Sequence, residues 1–276
     1  MLFRSRTAFS QISQRGNAVR ARLCDGSSVR CRLLLGTDGS RSAVRDLLGI
    51  ETQVFDYKQT AVVAHLELKS PIGPVAMQRF LDTGPVGMLP LKEHGMSCVW
   101  STSPEQAKLL KSLPNKAFAE RFMEASQHQT PDVAAIWARG CFPLRRQDAE
   151  RYTSGRCALL GDAAHSVHPM AGLGVNLGFA DVACLVELVA AAQVRDADIS
   201  ARALLRRFAR ERRSEATLMS RSIHALQRCF MSSAPVMGEM RRFGLRLLND
   251  LPAAKRQLFL RARGGYFMLN NPGELS

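Results

Sequence analysis

The sequence predicts an α/β protein in which one domain is built from two separated stretches, a mixed β-sheet domain is inserted between them, and a helical block closes the chain. Three observations predict it. Cys157 to Val189 reads as an apolar strand, a tight Gly161-Asp162 turn, a loop with Pro169, Gly172 and Gly174, and an apolar helix. Val29 to Ser40 reads as a second apolar strand ending in an acid–glycine turn, Asp38-Gly39. Between them lie five strand candidates and three helices punctuated by Gly and Pro. The expected boundaries are 1–50 and 151–195 for the split domain, 51–150 for the insertion and 196–276 for the helical block. No flexible linker separates them.

Element by element, Asn17 to Leu23 and Ser28 to Leu35 are β-like runs around Asp25-Gly26, a hairpin turn signal. Ser42 to Leu48 reads as a short helix with Ser42 as its cap. Thr60 to Lys69, Val75 to Leu81, Val86 to Leu91 and Gly95 to Ser101 are strands. Pro104 opens a helix to about Leu113, and Lys116 to Gln127 is a second one. Val133 to Leu144 returns to strand and is expected to stop at Pro143. Arg156 to Leu160 is the strand before the glycine loop. From Ser200 the pattern is helical, with Leu204, Leu205, Phe208, Met219 and Leu226 on one face.

Composition excludes several classes. At 276 residues, 46% hydrophobic and 22% charged, the chain is an ordinary globular sequence. No apolar run approaches the ~18 residues of a membrane span; Val182 to Val194 carries Glu187 and is expected to be a buried helix. The seven cysteines form no C-x-x-C pair and no zinc or disulfide spacing, so buried free thiols are expected. His165 and His168 lie in a turn without a third ligand nearby, and no metal is expected. The net charge is +14, and Ser200 to Arg263 supplies fifteen Lys and Arg against four Asp and Glu. That block suits an anionic membrane surface or a protein partner. Nucleic acid is disfavoured, because no aromatic residues interleave the charge and no nucleic-acid motif accompanies it.

The Gly161-Asp162 segment has the chemistry of a cofactor cradle. An acid at a strand end accepts hydrogen bonds from ligand hydroxyls. A glycine loop entering a helix offers bare N–H groups and a positive dipole end. A G-x-G-x-x-G turn, the usual companion of such a cradle, does not occur in the sequence.

Gly36-Thr37-Asp38-Gly39-Ser40-Arg41-Ser42-Ala43-Val44-Arg45 and Gly161-Asp162-Ala163-Ala164-His165 resemble, in order, two conserved motifs of the FAD-dependent aromatic hydroxylases. His168-Pro169-Met170-Ala171-Gly172-Leu173-Gly174-Val175-Asn176-Leu177-Gly178 is similar to the ubiquinone-biosynthesis branch in particular. So are Tyr57-Lys58-Gln59-Thr60-Ala61, Gln78-Arg79-Phe80, Leu89-Pro90-Leu91, Phe142-Pro143-Leu144 and the tail Arg242-Phe243-Gly244-Leu245. The likeness runs from about Val29 to Gly264.

The resemblance implies an incomplete FAD-binding Rossmann-like domain of the glutathione-reductase type, with an inserted substrate domain and C-terminal helices. It assigns Asp162 to the ribityl chain of FAD. Asp38 and Gly39 belong to the pyrophosphate region and the pyridine nucleotide, with Arg45 facing a phosphate. Gly161, Gly172, Leu173 and Gly174 admit the flat ring, Pro169 stiffens the facing loop, and Val175 and Asn176 open the helix beneath it. Leu173 stands where the family commonly has Gln, so the loop keeps its glycines and loses an amide. His65 and Arg79 fall on strands of the insertion, where a structural role is the first reading; no catalytic residue is assigned.

The implied reaction uses FAD, NAD(P)H and O2 to hydroxylate the ring of a polyprenylated phenol or quinol. The implied location is cytoplasmic, peripheral at the inner face of a membrane. Partners would be that membrane surface or other ubiquinone-biosynthesis proteins. Because the family's G-x-G-x-x-G unit is missing, the chain is expected to be part of a longer enzyme or a degenerate relative. The alternatives are a non-catalytic subunit of a biosynthetic assembly, and a different flavin-dependent hydroxylase or reductase.

Overall fold

The computed structural model describes residues 4–5, 7–168, 172–231, 250–252 and 256, with side chains placed as far as 225 in the last long helix. The chain divides into two compact units. One holds Met1–Phe55, Arg146–Ile223 and Arg246–Ser276; the other holds Asp56–Arg145 and His224–Leu245.

The first unit opens with an antiparallel meander, β1 (Phe9–Arg15), β2 (Ala18–Leu23) and β3 (Ser28–Cys31), in the order β1-β2-β3. In β2 Val19, Ala21 and Leu23 are buried while Arg20 and Arg22 point outward, the period-2 pattern of a half-covered sheet. Gly26 takes φ +85° in the turn to β3, and Asp25 Oδ1 accepts from the Ser27 amide at 2.9 Å. Sequence reading missed β1. Its residues FSQISQR are mostly polar, and it is a strand because β2 supplies the ladder.

β4 (Leu34–Gly36) leads into α1 (Ala43–Leu47), capped by Ser42, whose Oγ accepts from the Arg45 amide at 3.0 Å. The chain then passes into β5 (Thr52–Leu68), much longer than its expected Thr60 start. In the second unit β5 is followed by β6 (Met77–Leu81), β7 (Gly84–Pro90) and β8 (Gly95–Thr102). α2 (Pro104–Ser112) starts on Ser103, whose Oγ accepts from the Gln106 amide at 3.2 Å. α3 (Asn115–Ser126) ends on Gln127 in the left-handed region. β9 (Val133–Ala149) closes this unit's sheet in the order β9-β5-β8-β7-β6. Its core sets Val62, Ala64 and Leu66 with Met88, Met96 and Cys98 and the helical Leu110, Phe118 and Phe122.

β9 does not stop at Pro143. Its neighbour β12 (His165–Ser166) pairs with Gln147 and Asp148, so the strand runs on past the proline.

Back in the first unit, β10 (Thr153–Ser154) turns antiparallel into β11 (Cys157–Leu159), and β11 runs parallel to β4. A single 3-10 turn at Gly161–Ala163 precedes β12, and α4 (Gly174–Val194) and α5 (Arg202–Met231) follow.

α4 begins at Gly174, as the glycine loop predicts, but it is not the buried helix expected over Val182 to Val194: it buries only one face, on which Leu177, Ala180, Asp181, Cys184 and Leu185 lie. Val175, Phe179, Val182 and Val186 are exposed. α4 is long and apolar enough to cross a membrane by length and composition. Its packed face, however, carries the ion-paired Asp181, the mark of a helix seated in a folded unit. α5 turns Leu205, Phe208, Arg212, Ala216 and Ile223 inward; Leu226 lies outside the described side chains.

Candidate functional site

The parallel pairing of β4 and β11 decides the site. Leu34, Leu35 and Gly36 stand opposite Cys157, Ala158 and Leu159, and the Leu160 amide donates to Gly36 O at 3.0 Å. Both acid–glycine turns therefore leave the same end of one sheet, the carboxyl end, where ligands of open α/β sheets bind. Gly36 is required by packing: a Cβ there would lie 2.8 Å from Leu159 Cδ2 and 2.9 Å from Val44 Cγ1. Gly39 has φ +84° and faces open space.

Asp38 fixes its own loop. Its Oδ1 accepts from Ser42 Oγ at 2.5 Å and its Oδ2 from the Val44 amide at 3.1 Å. Arg45 does not extend a fork to the open side, as the phosphate role required. It is 5% exposed. Its Nη2 donates to Ser40 O at 3.1 Å and its Nη1 to Ala163 O at 3.2 Å. Arg45 thus bolts the Asp38-Gly39 loop to the Gly161-Asp162 turn.

Gly161 stands at φ +57° and lies close against Gly178 of α4. Asp162 is exposed at the turn, and its carboxylate makes no hydrogen bond among the described residues. Gly172 has φ +63° with open space where a Cβ would point, and Leu173 caps α4 with no side-chain hydrogen bond. The amides of Gly174, Val175 and Asn176 thus open a helix of 21 residues. Pro169 lies outside the described residues.

Sequence reading missed the cluster beneath this turn. Asp181 Oδ2 accepts from the Gly161 amide and pairs with His165 Nε2, both at 2.8 Å; its Oδ1 accepts from Arg212 Nε at 2.7 Å. Arg212 also pairs with Glu215. The Asp181 and Arg212 side chains are 0% exposed. Burial pushes the Asp181 carboxyl up, but the hydrogen bonds from His165, Arg212 and Gly161 outweigh it and hold the group below the ordinary carboxylate range. A signal existed: Asp181 interrupts the apolar run of α4, and Arg212 falls four residues after Phe208 on the inward stripe of α5. His168, next to the loop, is 1% exposed, and burial pushes its imidazole down to about 4.

In the second unit Arg79 Nη1 donates to Ala125 O at 3.0 Å, a structural bond, and His65 sits exposed on β5.

Residues 2–222 match the sequence model of the FAD binding domain family. The chain belongs to that family. Among relatives of this FAD binding domain protein, the ubiquinone biosynthesis monooxygenase COQ6, mitochondrial, of Danio rerio is 35% identical over 274 residues. The match covers 87% of this chain and 57% of that protein. Ubiquinone hydroxylase UbiL of Rhodospirillum rubrum is 37% identical over 257 residues, 92% of this chain and 59% of its own length. The chain spans less than two thirds of these relatives.

Among solved structures, p-nitrophenol 4-monooxygenase PnpA from Pseudomonas putida DLL-E4 superposes with a TM-score of 0.74 at 19% identity, over 94% of this chain and 66% of that one. OxyS anhydrotetracycline hydroxylase from Streptomyces rimosus gives 0.70 at 24%, over 94% and 52%. Both share the mixed α/β fold of the FAD binding domain chain, and the family is the one its two acid–glycine motifs resemble.

The residues present fit FAD. Two carboxylates leave one sheet end, an uncapped helix N-terminus follows, and Gly39 and Gly172 keep open the space that Cβ atoms would fill.

Proposed function

We propose that this chain supplies the flavin-holding and substrate-facing parts of an FAD-dependent monooxygenase that hydroxylates the aromatic ring of a polyprenylated phenol or quinol in ubiquinone biosynthesis. Electrons would come from NAD(P)H and oxygen from O2. The carrying observation is the shared strand end of Asp38 and Asp162, bolted by Arg45. The names of the relatives support the substrate class.

Bound FAD supplies the redox chemistry and the activation of oxygen. This chain's residues hold and shield. Asp162 accepts hydrogen bonds from the ribityl hydroxyls. The amides of Gly174, Val175 and Asn176 favour negative charge at the near edge of the ring by about 0.3–1 kcal/mol. Leu173 keeps that edge drier than an amide side chain would. Asp38 and Gly39 shape the loop toward the pyrophosphate, with Arg45 as the positioning bolt. Residues 56–145 of the second unit are assigned to the phenol.

Flavin titration tests the reading. The chain should bind riboflavin and FAD, followed by fluorescence anisotropy, and Asp162→Ala should weaken both by about tenfold, the loss of a charge-assisted hydrogen bond. A correctly folded chain that ignores both flavins ends the proposal.

The location follows from the same substrate. A polyprenyl tail resides in lipid, and the net +14 favours an anionic surface, so we place the protein in the cytoplasm, peripheral at the inner face of the membrane. Cosedimentation with anionic but not with neutral vesicles is the expected result; equal behaviour with both removes the proposal.

A further inference from the structure

The first unit carries a charged groove at the end of the sheet opposite the flavin turns. It has a volume of about 740 Å³. Its floor is the turn before β11, and one wall is the first three turns of α5. Arg156 belongs to the floor. It pairs with Asp198 at 2.6 Å and also donates to Ser200 Oγ and Asn17 Oδ1, so its charge is matched internally.

The wall differs. Arg202, Arg206, Arg210 and Arg213 follow one another along α5, all exposed. None of the four makes a hydrogen bond or an ion pair among the described residues. Like charges at i,i+4 repel, so the row is unfavourable until an anion meets it. Glu150 is the one acid of the groove besides Asp198.

We propose that this groove docks an acidic segment of a protein partner, with carboxylates seated on the α5 guanidinium row. Three observations select that occupant. Guanidinium forks match carboxylates bidentately, and arginine is enriched in protein interfaces. The row from Arg202 to Arg213 is about 16 Å long at the helical rise, which five or six extended residues span. Along the arginine row itself, from Arg202 to Arg213, Leu205 and Phe208 are buried and no large apolar side chain is exposed, so this stretch of α5 offers lipid nothing to insert. A nucleic acid would want stacking partners, and the groove's one aromatic, Tyr152, is 1% exposed.

The test uses the full chain and a fluorescein-labelled Glu/Asp-rich peptide, read by anisotropy, with phosphatidylglycerol vesicles and inorganic phosphate as separate probes. The peptide should bind, and binding should weaken as salt rises from about 50 to about 300 mM. R206E/R210E should lose at least about tenfold, and R206K/R210K should lose part of that, because charge remains while the fork does not. R20E/R22E reverses the same charge on exposed β2 positions and should stay within about twofold. Three results overturn the proposal: no peptide binding, equal loss in the two double reversals, or dependence on Arg206 and Arg210 for vesicles or phosphate but not for peptide. No flavin enters the measurement, so its failure leaves the FAD reading untouched.

Discussion

Asp181 Oδ2 lies 2.8 Å from the Gly161 amide, so a carboxylate twenty residues downstream holds the turn that presents Asp162. The same carboxylate binds Arg212, and both side chains are fully buried. Helix α5 is therefore tied to the Gly161-Asp162 turn through one charged group. Buried pairs of this kind contribute little net stability, yet breaking one partner leaves an uncompensated charge.

Asp181→Asn should destabilise the protein by about 3 kcal/mol in urea unfolding, because the buried Arg212 guanidinium loses the carboxylate charge facing it. A double cycle with Arg212→Met should show a coupling of about 1–3 kcal/mol. Strict additivity of the two losses would show that the pair is not one unit.

Gly36→Ala and Gly39→Ala separate two costs. At Gly36 the new Cβ collides with Leu159 and Val44 at under 3 Å, so a loss of about 1–3 kcal/mol is expected from overpacking. At Gly39 no atom lies within 4 Å, and the φ of +84° alone acts, at about 1 kcal/mol. Thermal unfolding of both variants should give the larger drop for Gly36→Ala.

Stability should fall on acidification in two stages of the same sign. Burial lowers the His168 imidazole from 6.5 to about 4, so between those pH values the unfolded chain binds the extra proton and folding loses up to about 3 kcal/mol. Asp181 is held below the ordinary carboxylate range, so its contribution is present above about pH 4, the unfolded value, and is lost as pH falls through the folded one. His168→Gln should flatten the slope of Tm between pH 6.5 and 4 while leaving the lower stage. An unchanged slope would remove His168 from the account.

Thiol reactivity should follow burial. Cys24 is exposed, whereas burial pushes the thiols of Cys98, Cys157 and Cys184 up to about 12. At pH 8 a disulfide reagent should label Cys24 in the native protein and reach those three only after unfolding. Rapid native labelling at Cys157 would contradict the packing of β11.

Local patterns carried much of the fold. The Ser42 cap, the helix start at Pro104, the Asp25-Gly26 turn and the strands of the second unit were legible because each depends on residues a few positions apart. The polar β1 and the passage of β9 through Pro143 were not, since a strand's identity there rests on which neighbour offers a ladder.

By itself the sequence determined the two acid–glycine turns and the basic character of the C-terminal block, consequences of residue type and short spacing. Tertiary structure alone decided that β4 and β11 lie parallel, that Arg45 points inward to bolt the turns together, and that Asp181 meets Arg212 across 31 residues. The reason is physical. A carboxylate or a guanidinium has one chemistry in water and another when burial forces it to find a partner, and only the folded chain names the partner.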